Sequence, residues 1–197
     1  MQAAARPHLL RLLGPNCIGL LSSPAKLNAS FAHINPRDGN LAFVSQSGAL
    51  VTAVLDWADA QAIGFSHIVS LGEHLDVDFG DMLDYLATDV HTRAILLYIE
   101  SIEAPRKFMS AARAAARNKP VIVVKSGRSV QGQKAAASHT GALAGSDDVY
   151  DAAIARAGML RVDSLEELFL AAEILTRHTA PIGERMTILT NGGGVGV

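Results

Sequence analysis

Residues 40–50 read Asn-Leu-Ala-Phe-Val-Ser-Gln-Ser-Gly-Ala-Leu. The stretch Asn40–Gln46 has the short apolar run of a buried strand. Ser47 and Gly48 break that run, and Leu50, Val54, Trp57 and Ala58 then share one face of a helix over 50–62. A strand passing straight into an amphipathic helix is the first half of a βαβ unit, so the fold turns on whether the pattern repeats.

It does repeat. Phe65–Leu71 (FSHIVSL) is a second strand, and Phe79, Met82, Leu83 and Leu86 mark a helix over 79–87 with Asp78 as its N-cap. Ala94–Ile99 (AILLYI) is a third strand, followed by a helix over 106–117 whose wet face carries Arg106, Ser110, Arg113 and Arg117. Val121–Lys125 (VIVVK) is a fourth. A helix resumes at Ser146, with Asp147 and Asp148 in the first turn, where carboxylates favour the positive end of the dipole. Gly158 suits its C′ position, and Met159–Val162 makes a short fifth strand. Ser164-Leu-Glu-Glu167 is a capping-box pattern that opens a last helix with Leu165, Leu168, Phe169, Ala172 and Leu175 inward. Alternation of this kind predicts an α/β fold: a flavodoxin-like, doubly wound, five-stranded parallel sheet with right-handed crossovers. Ligands of such sheets sit at the carboxyl ends of the strands, here Ser45–Gly48, Gly72–Asp78, Glu100–Glu103 and the loop after Lys125.

The two ends fall outside that scheme. Residues 1–22 read as the tail of an earlier unit, with a helix end, Gly14-Pro15-Asn16 and a short apolar run. Ser22–Asp38 reads as a Pro/Asn/Ser-rich connection into a domain over 23–180. Residues 181–197 read as the start of a following unit, with Met186–Asn191 a new strand running into Gly192–Gly194.

Composition removes several classes of function. With 197 residues, 49% hydrophobic and a net charge of -2, the chain has neither the basic stripe of a nucleic-acid binder nor a like-charge tail. Its apolar runs are too short to span a bilayer. Cys17 is the only cysteine, so an intrachain disulfide is impossible and a reducing, cytoplasmic setting is expected. Cys17 has no evident base beside it and reads as a small buried residue.

Three groups of residues at the ligand edge carry chemistry. Ser45, Ser47 and Gly48 sit where a strand becomes a helix, and free N–H groups with the helix dipole favour an anion there. Residues 125–145 read KSGRSVQGQKAAASHTGALAG, a glycine-rich stretch too long for an ordinary βα loop. It displays His139 between Ser138 and Thr140, without the companion ligands that a metal site would need. Glu100 follows the third strand, where its carboxylate can fix the tautomer of an imidazole and stabilise its cation. Glu73, His74, Asp76 and Asp78 form a polar cluster that helix capping by Asp78 explains in part.

These motifs together resemble the nucleoside-diphosphate-forming acyl-CoA synthetases, acetate–CoA ligase (ADP-forming) among them, and the α subunit of succinyl-CoA synthetase. The carrying stretches are Gly14-Pro15-Asn16-Cys17, Ser45–Leu50, Ser70-Leu71-Gly72 with Asp76-Val77-Asp78, Tyr98-Ile99-Glu100, Lys125–Arg128 and, above all, Ser138–Gly145. The resemblance implies that phosphate converts an acyl-CoA into an acyl phosphate, that His139 takes the phosphoryl group, and that ADP then receives it to form ATP. It implies that Glu100 orients His139, and that Ser45, Ser47, Gly48, Ser138, Thr140 and Gly141 bind the phosphoryl group. It further implies a preceding CoA-binding Rossmann domain, of which 1–22 would be the remnant, and an ATP-grasp domain or subunit as partner. CoA, ADP or ATP and Mg2+ are then expected in the full enzyme, which would be oligomeric and act on a small carboxylic acid or its acyl-CoA. The present stretch is not expected to run the full reaction alone. The same module also resembles the regulatory, acyl-CoA- or CoA-sensing part of protein lysine acetyltransferases, which is the alternative reading. A flavodoxin-like flavin or nucleotide binder is a third, though no aromatic pair is placed to sandwich a flavin.

Overall fold

The apolar run Leu41–Val44 lies at the middle of a seven-stranded sheet in the computed structural model. The structure describes residues 1–128 and 146–177, together with 183, 185, 187–192 and 194. In chain order the elements are α1 (Gln2–Ala5), a 3-10 turn (Arg6–His8), β1 (Gly19–Ser22), β2 (Leu27–Ser30), β3 (Arg37–Ser45), α2 (Gly48–Ala60) and β4 (Gly64–Ser70). They continue with α3 (Phe79–Thr88), β5 (Ala94–Ile99), α4 (Pro105–Asn118), β6 (Val121–Lys125), α5 (Asp147–Ala157), β7 (Leu160–Val162) and α6 (Leu165–Arg177).

The sheet order is β2-β1-β4-β3-β5-β6-β7, and the five strands from β4 to β7 are mutually parallel. Taken from β3 onward, the parallel part has its second strand on one side of the first and all later strands on the other, the flavodoxin-like arrangement expected. Strand alternation divides the core. Leu41 and Phe43 point to the layer holding α2 and α6, whereas Ala42 and Val44 point to the layer of α3, α4 and α5. Phe43, Leu97 and Leu83 are completely buried, each contributing roughly 1.5–3 kcal/mol of hydrophobic stabilisation. Trp57 of α2 stacks on Phe169 of α6, with ring centroids 4.2 Å apart.

The local signals act as read. Asp78 caps α3 by accepting from Asp81 N at 3.0 Å, and Asp81 returns the bond by accepting from Asp78 N at 3.1 Å. Gly158 ends α5 with a φ of 81°. At α6 the Ser164 hydroxyl accepts from Glu167 N, while the Glu167 carboxylate reaches back to Asp163 N rather than to Ser164 N.

Three readings change. First, the sheet has seven strands instead of five, because β1 and β2 form an antiparallel hairpin that pairs with β4. The connection expected over 22–38 therefore contains a strand, and Leu21 at the end of the earlier-looking tail is 1% exposed within this same sheet. The hairpin covers the β4 edge, which would otherwise present a row of unpaired backbone groups. Second, β3 begins at Arg37, three residues early, with register shifts between Asp38 and Ala42. Third, residues 187–191 of the strand expected over Met186–Asn191 form no strand, and Leu189 is exposed; Met186 lies outside the described residues.

Candidate functional site

At the carboxyl edge of the parallel strands the chain leaves β3 through Ser45-Gln46-Ser47 and enters α2. Ser47 is the N-cap, and its hydroxyl accepts from Leu50 N at 3.3 Å. Ser45 is fully buried; its hydroxyl donates to Ser47 O at 2.9 Å and accepts from Ser47 N at 3.0 Å, so it shapes the turn from beneath. Ser45 is thereby placed as a support of the turn, and Ser47 and Gly48 face the open space. Gly48 makes room for Ile18: a Cβ there would stand 2.9 Å from Ile18 Cγ1, so that side chain would have to shift.

Gln46, between the two serines, is 7% exposed and joins β3 to the end of β5. Its Oε1 accepts from Glu100 N at 2.6 Å and from Ser101 N at 3.0 Å, and its Nε2 donates to Ser101 Oγ at 3.3 Å. The backbone that carries Glu100 is therefore set by the residue that precedes the helix cap. Ser47, Gly48 and Glu100 line one cavity of about 710 Å³.

The remaining wall comes from two segments that pattern reading did not bring together. Asn16, Cys17 and Ile18 line the cavity, as do Gly72–Leu75. They are laced by backbone bonds from Glu73 N to Pro15 O, from Leu75 N to Gly14 O and from Val77 N to Leu12 O. Gly72 has a φ of 56°, and a Cβ on it would lie 2.2 Å from Pro15 O. Asp76 accepts from Leu12 N at 2.8 Å and pairs with Arg11. The polar cluster after β4 thus anchors the N-terminal segment through Asp76 and caps α3 through Asp78, while Glu73 and His74 face the cavity.

Beside Glu100, Lys125 ends β6 in register with Ile99 and is 4% exposed. Its ammonium donates to Ser126 O and lies 4.5 Å from the Tyr150 ring centroid. Burial pushes the Lys125 amine below its ordinary value; Asp147 and Glu100 oppose that shift, and Arg161 adds to it. Burial also pushes the Tyr150 phenol up. Arg128 pairs with Asp147 and Asp163, and Arg161 pairs with Asp147, so residues on both sides of 129–145 meet at this edge. Ser138, His139, Thr140 and Gly141 lie outside the described residues. Among the described residues no cluster of His, Cys, Asp and Glu is arranged to hold a metal ion, and no helix is long and apolar enough to cross a membrane.

The family model described as the succinyl-CoA ligase like flavodoxin domain matches residues 38–175. The α subunit of acetate–CoA ligase [ADP-forming] I from Pyrococcus furiosus is 47% identical over 98% of this chain and 42% of its own length. Acetate–CoA ligase [ADP-forming] I of Archaeoglobus fulgidus is 46% identical over 98% of this chain and 28% of its own length. A solved structure of the dinucleotide-forming acetyl-coenzyme A synthetase 1 of Ca. Korarchaeum cryptofilum, in complex with phosphate and ADP, superposes with a TM-score of 0.91 at 42% identity. That match covers 98% of this chain and 42% of the solved one, so the chain spans less than half of each of these relatives.

Proposed function

Because the chain belongs to the succinyl-CoA ligase-like flavodoxin domain family, we propose that it is the phosphoryl-carrying portion of an ADP-forming acyl-CoA ligase, with His139 as the carrier. The supporting observation is the shared cavity. Gln46 binds the backbone of Glu100 and immediately precedes the Ser47 cap, so a carboxylate and a helix N-terminus line one space at the ligand edge.

The chemistry follows from those parts. A phosphate oxygen attacks the thioester carbonyl of the acyl-CoA; the C–S bond breaks, and CoA leaves as its thiolate. The acyl phosphate then lies with its phosphoryl group against the start of α2, whose free N–H groups and dipole stabilise equatorial charge without moving. An imidazole nitrogen of His139 attacks phosphorus, the bond to the acyl oxygen breaks, and the carboxylic acid leaves as its anion. Glu100 holds the opposite ring N–H, which fixes the tautomer and offsets the cation that forms. Transfer from His139 to ADP completes the cycle, and every step runs in reverse. Phosphoryl transfer of this kind needs positioning and charge stabilisation more than covalent help. CoA, nucleotide and Mg2+ belong to the full-length protein, with the nucleotide held by an ATP-grasp domain or subunit.

The test is labelling. Full-length protein incubated with γ-labelled ATP and Mg2+ takes up one acid-labile, base-stable phosphate that is absent in His139→Ala. Glu100→Gln slows uptake by tenfold or more. A folded wild-type protein that never takes up label overturns the carrier assignment.

A further inference from the structure

We infer that His74 is a substrate-binding residue of the same cavity, donating a ring N–H to the anionic oxygens of inorganic phosphate and of the acyl phosphate. The inference rests on the phosphoryl-carrier reading and adds to it a second group that receives the anion, in the cavity that the start of α2 also lines.

Four observations carry it. The cavity lining contains three carboxylates, those of Glu73, Glu100 and Glu103, and no lysine or arginine among the described residues. Among the described residues, an anion entering it meets hydrogen-bond donors rather than long cationic side chains. The 13-residue helix α2 supplies one set of donors through its first turn and its Ser47 cap. His74 supplies an independent one. Its side chain is 6% exposed and lines both the cavity and the narrow recess that adjoins it. No hydrogen bond or ion pair engages the imidazole among the described residues, and its ring nitrogens are not among the fully enclosed polar atoms left without a partner, so they keep access to the cavity. Gln46, nearly as buried beside the same cavity, has both its amide oxygen and its amide nitrogen engaged by Glu100 and Ser101. The unused polar ring belongs to His74, and an imidazole offers at least one N–H in either protonation state.

The ring is also held in place. Leu71 O accepts from His74 N at 3.0 Å, and the two flanking residues are bonded to Pro15 O and Gly14 O. A φ of 38° places His74 in the left-handed region. Asn adopts that region readily and keeps a short N–H donor; Leu removes the donor and adds backbone strain, which thermal melting reads separately.

The experiment measures phosphate-dependent cleavage of acyl-CoA by the full-length protein carrying His74→Leu or His74→Asn, with thermal melting as a check on folding. Expected is a KM for inorganic phosphate raised about tenfold or more in His74→Leu, the ratio that loss of one hydrogen bond to a charged group produces. Its kcat stays within about threefold, and His74→Asn recovers most of the affinity. A folded His74→Leu protein with the wild-type KM for phosphate overturns the inference, as does an effect confined to the KM of the carboxylic acid. Should both variants unfold, carbethoxylation of His74 in the wild type, followed by mass spectrometry, decides: protection by inorganic phosphate and not by chloride supports the contact, and equal modification removes it. Wild-type label uptake at His139 is scored separately, so the carrier reading stands or falls on its own.

Discussion

Replacing Gln46 by leucine removes a fork that the fold relies on and leaves the side-chain volume nearly unchanged. Two backbone N–H groups, of Glu100 and Ser101, lose the acceptor they share at 2.6 and 3.0 Å, and the Ser101 hydroxyl loses a donor at 3.3 Å. A buried donor left unpaired costs about 1–3 kcal/mol, and water from the adjoining cavity recovers part of that for two groups that are only half-buried. The expected destabilisation is about 2–4 kcal/mol. Ser101→Ala removes only the weakest of the three bonds and should cost about 0.5–1.5 kcal/mol. Urea unfolding followed by circular dichroism reads both values as shifts of the midpoint at constant slope. Phosphoryl uptake should fall in Gln46→Leu as well, because the Glu100 backbone loses its anchor. If Gln46→Leu proves no less stable than Ser101→Ala, the fork does not position Glu100 and the account of the site is wrong.

Gly72→Ala places a methyl 2.2 Å from Pro15 O on a backbone with φ of 56°. Overpacking and left-handed strain together should cost about 2–4 kcal/mol, and a melting temperature unchanged within 1 °C would show that the Pro15 segment yields freely. Asp81 provides a dependence on pH. Burial raises its carboxyl, but Lys107, the Asp78 N–H and Arg11 outweigh that and hold it at about 2, below the ordinary 3.8. The depressed folded value means that this stability is fully present above about pH 4 and is lost as pH falls through about 2. It amounts to about 1–2 kcal/mol after allowance for its solvent contact. Asp81→Asn should flatten the acid limb of the stability curve, and an unchanged limb would refute the assignment.

The sequence was most legible where one short segment carried its own instructions. The apolar run at 41–44, the Asp78 cap and the Gly158 stop each act within a few residues, and each appears in the fold as read, with Asp81 adding a reciprocal bond at the cap. What escaped reading depends on contacts between distant residues. Leu27–Ser30 (LNAS) is mostly exposed and poor in β-branched residues, and it becomes a strand only because β1 offers it an edge. Asn16 and Cys17 reach the cavity because Gly14 and Pro15 just before them accept backbone bonds from residues more than fifty positions later, which no local pattern encodes. Gln46 was hidden by the serines on either side, although a long amide at a strand's carboxyl end, one residue before a helix cap, is a signal that favours bridging to the next strand. His74 was grouped with the carboxylates after β4; only burial separates it from Asp76 and Asp78, which serve the backbone. Lys125 drew notice as part of a motif, but its burial against Tyr150 needed the helix beyond residue 145.

The stack of Trp57 on Phe169 has a practical use. Trp57 is the chain's sole tryptophan, so all indole emission from this stretch originates where α2 meets α6. The helix that opens at Ser47 therefore carries its own optical reporter on its flank, away from the residues that line the cavity. A change in that emission when phosphate is added would mean that the helix shifts as a body against its neighbour, and silence, with phosphate binding established separately, would mean a helix already at rest.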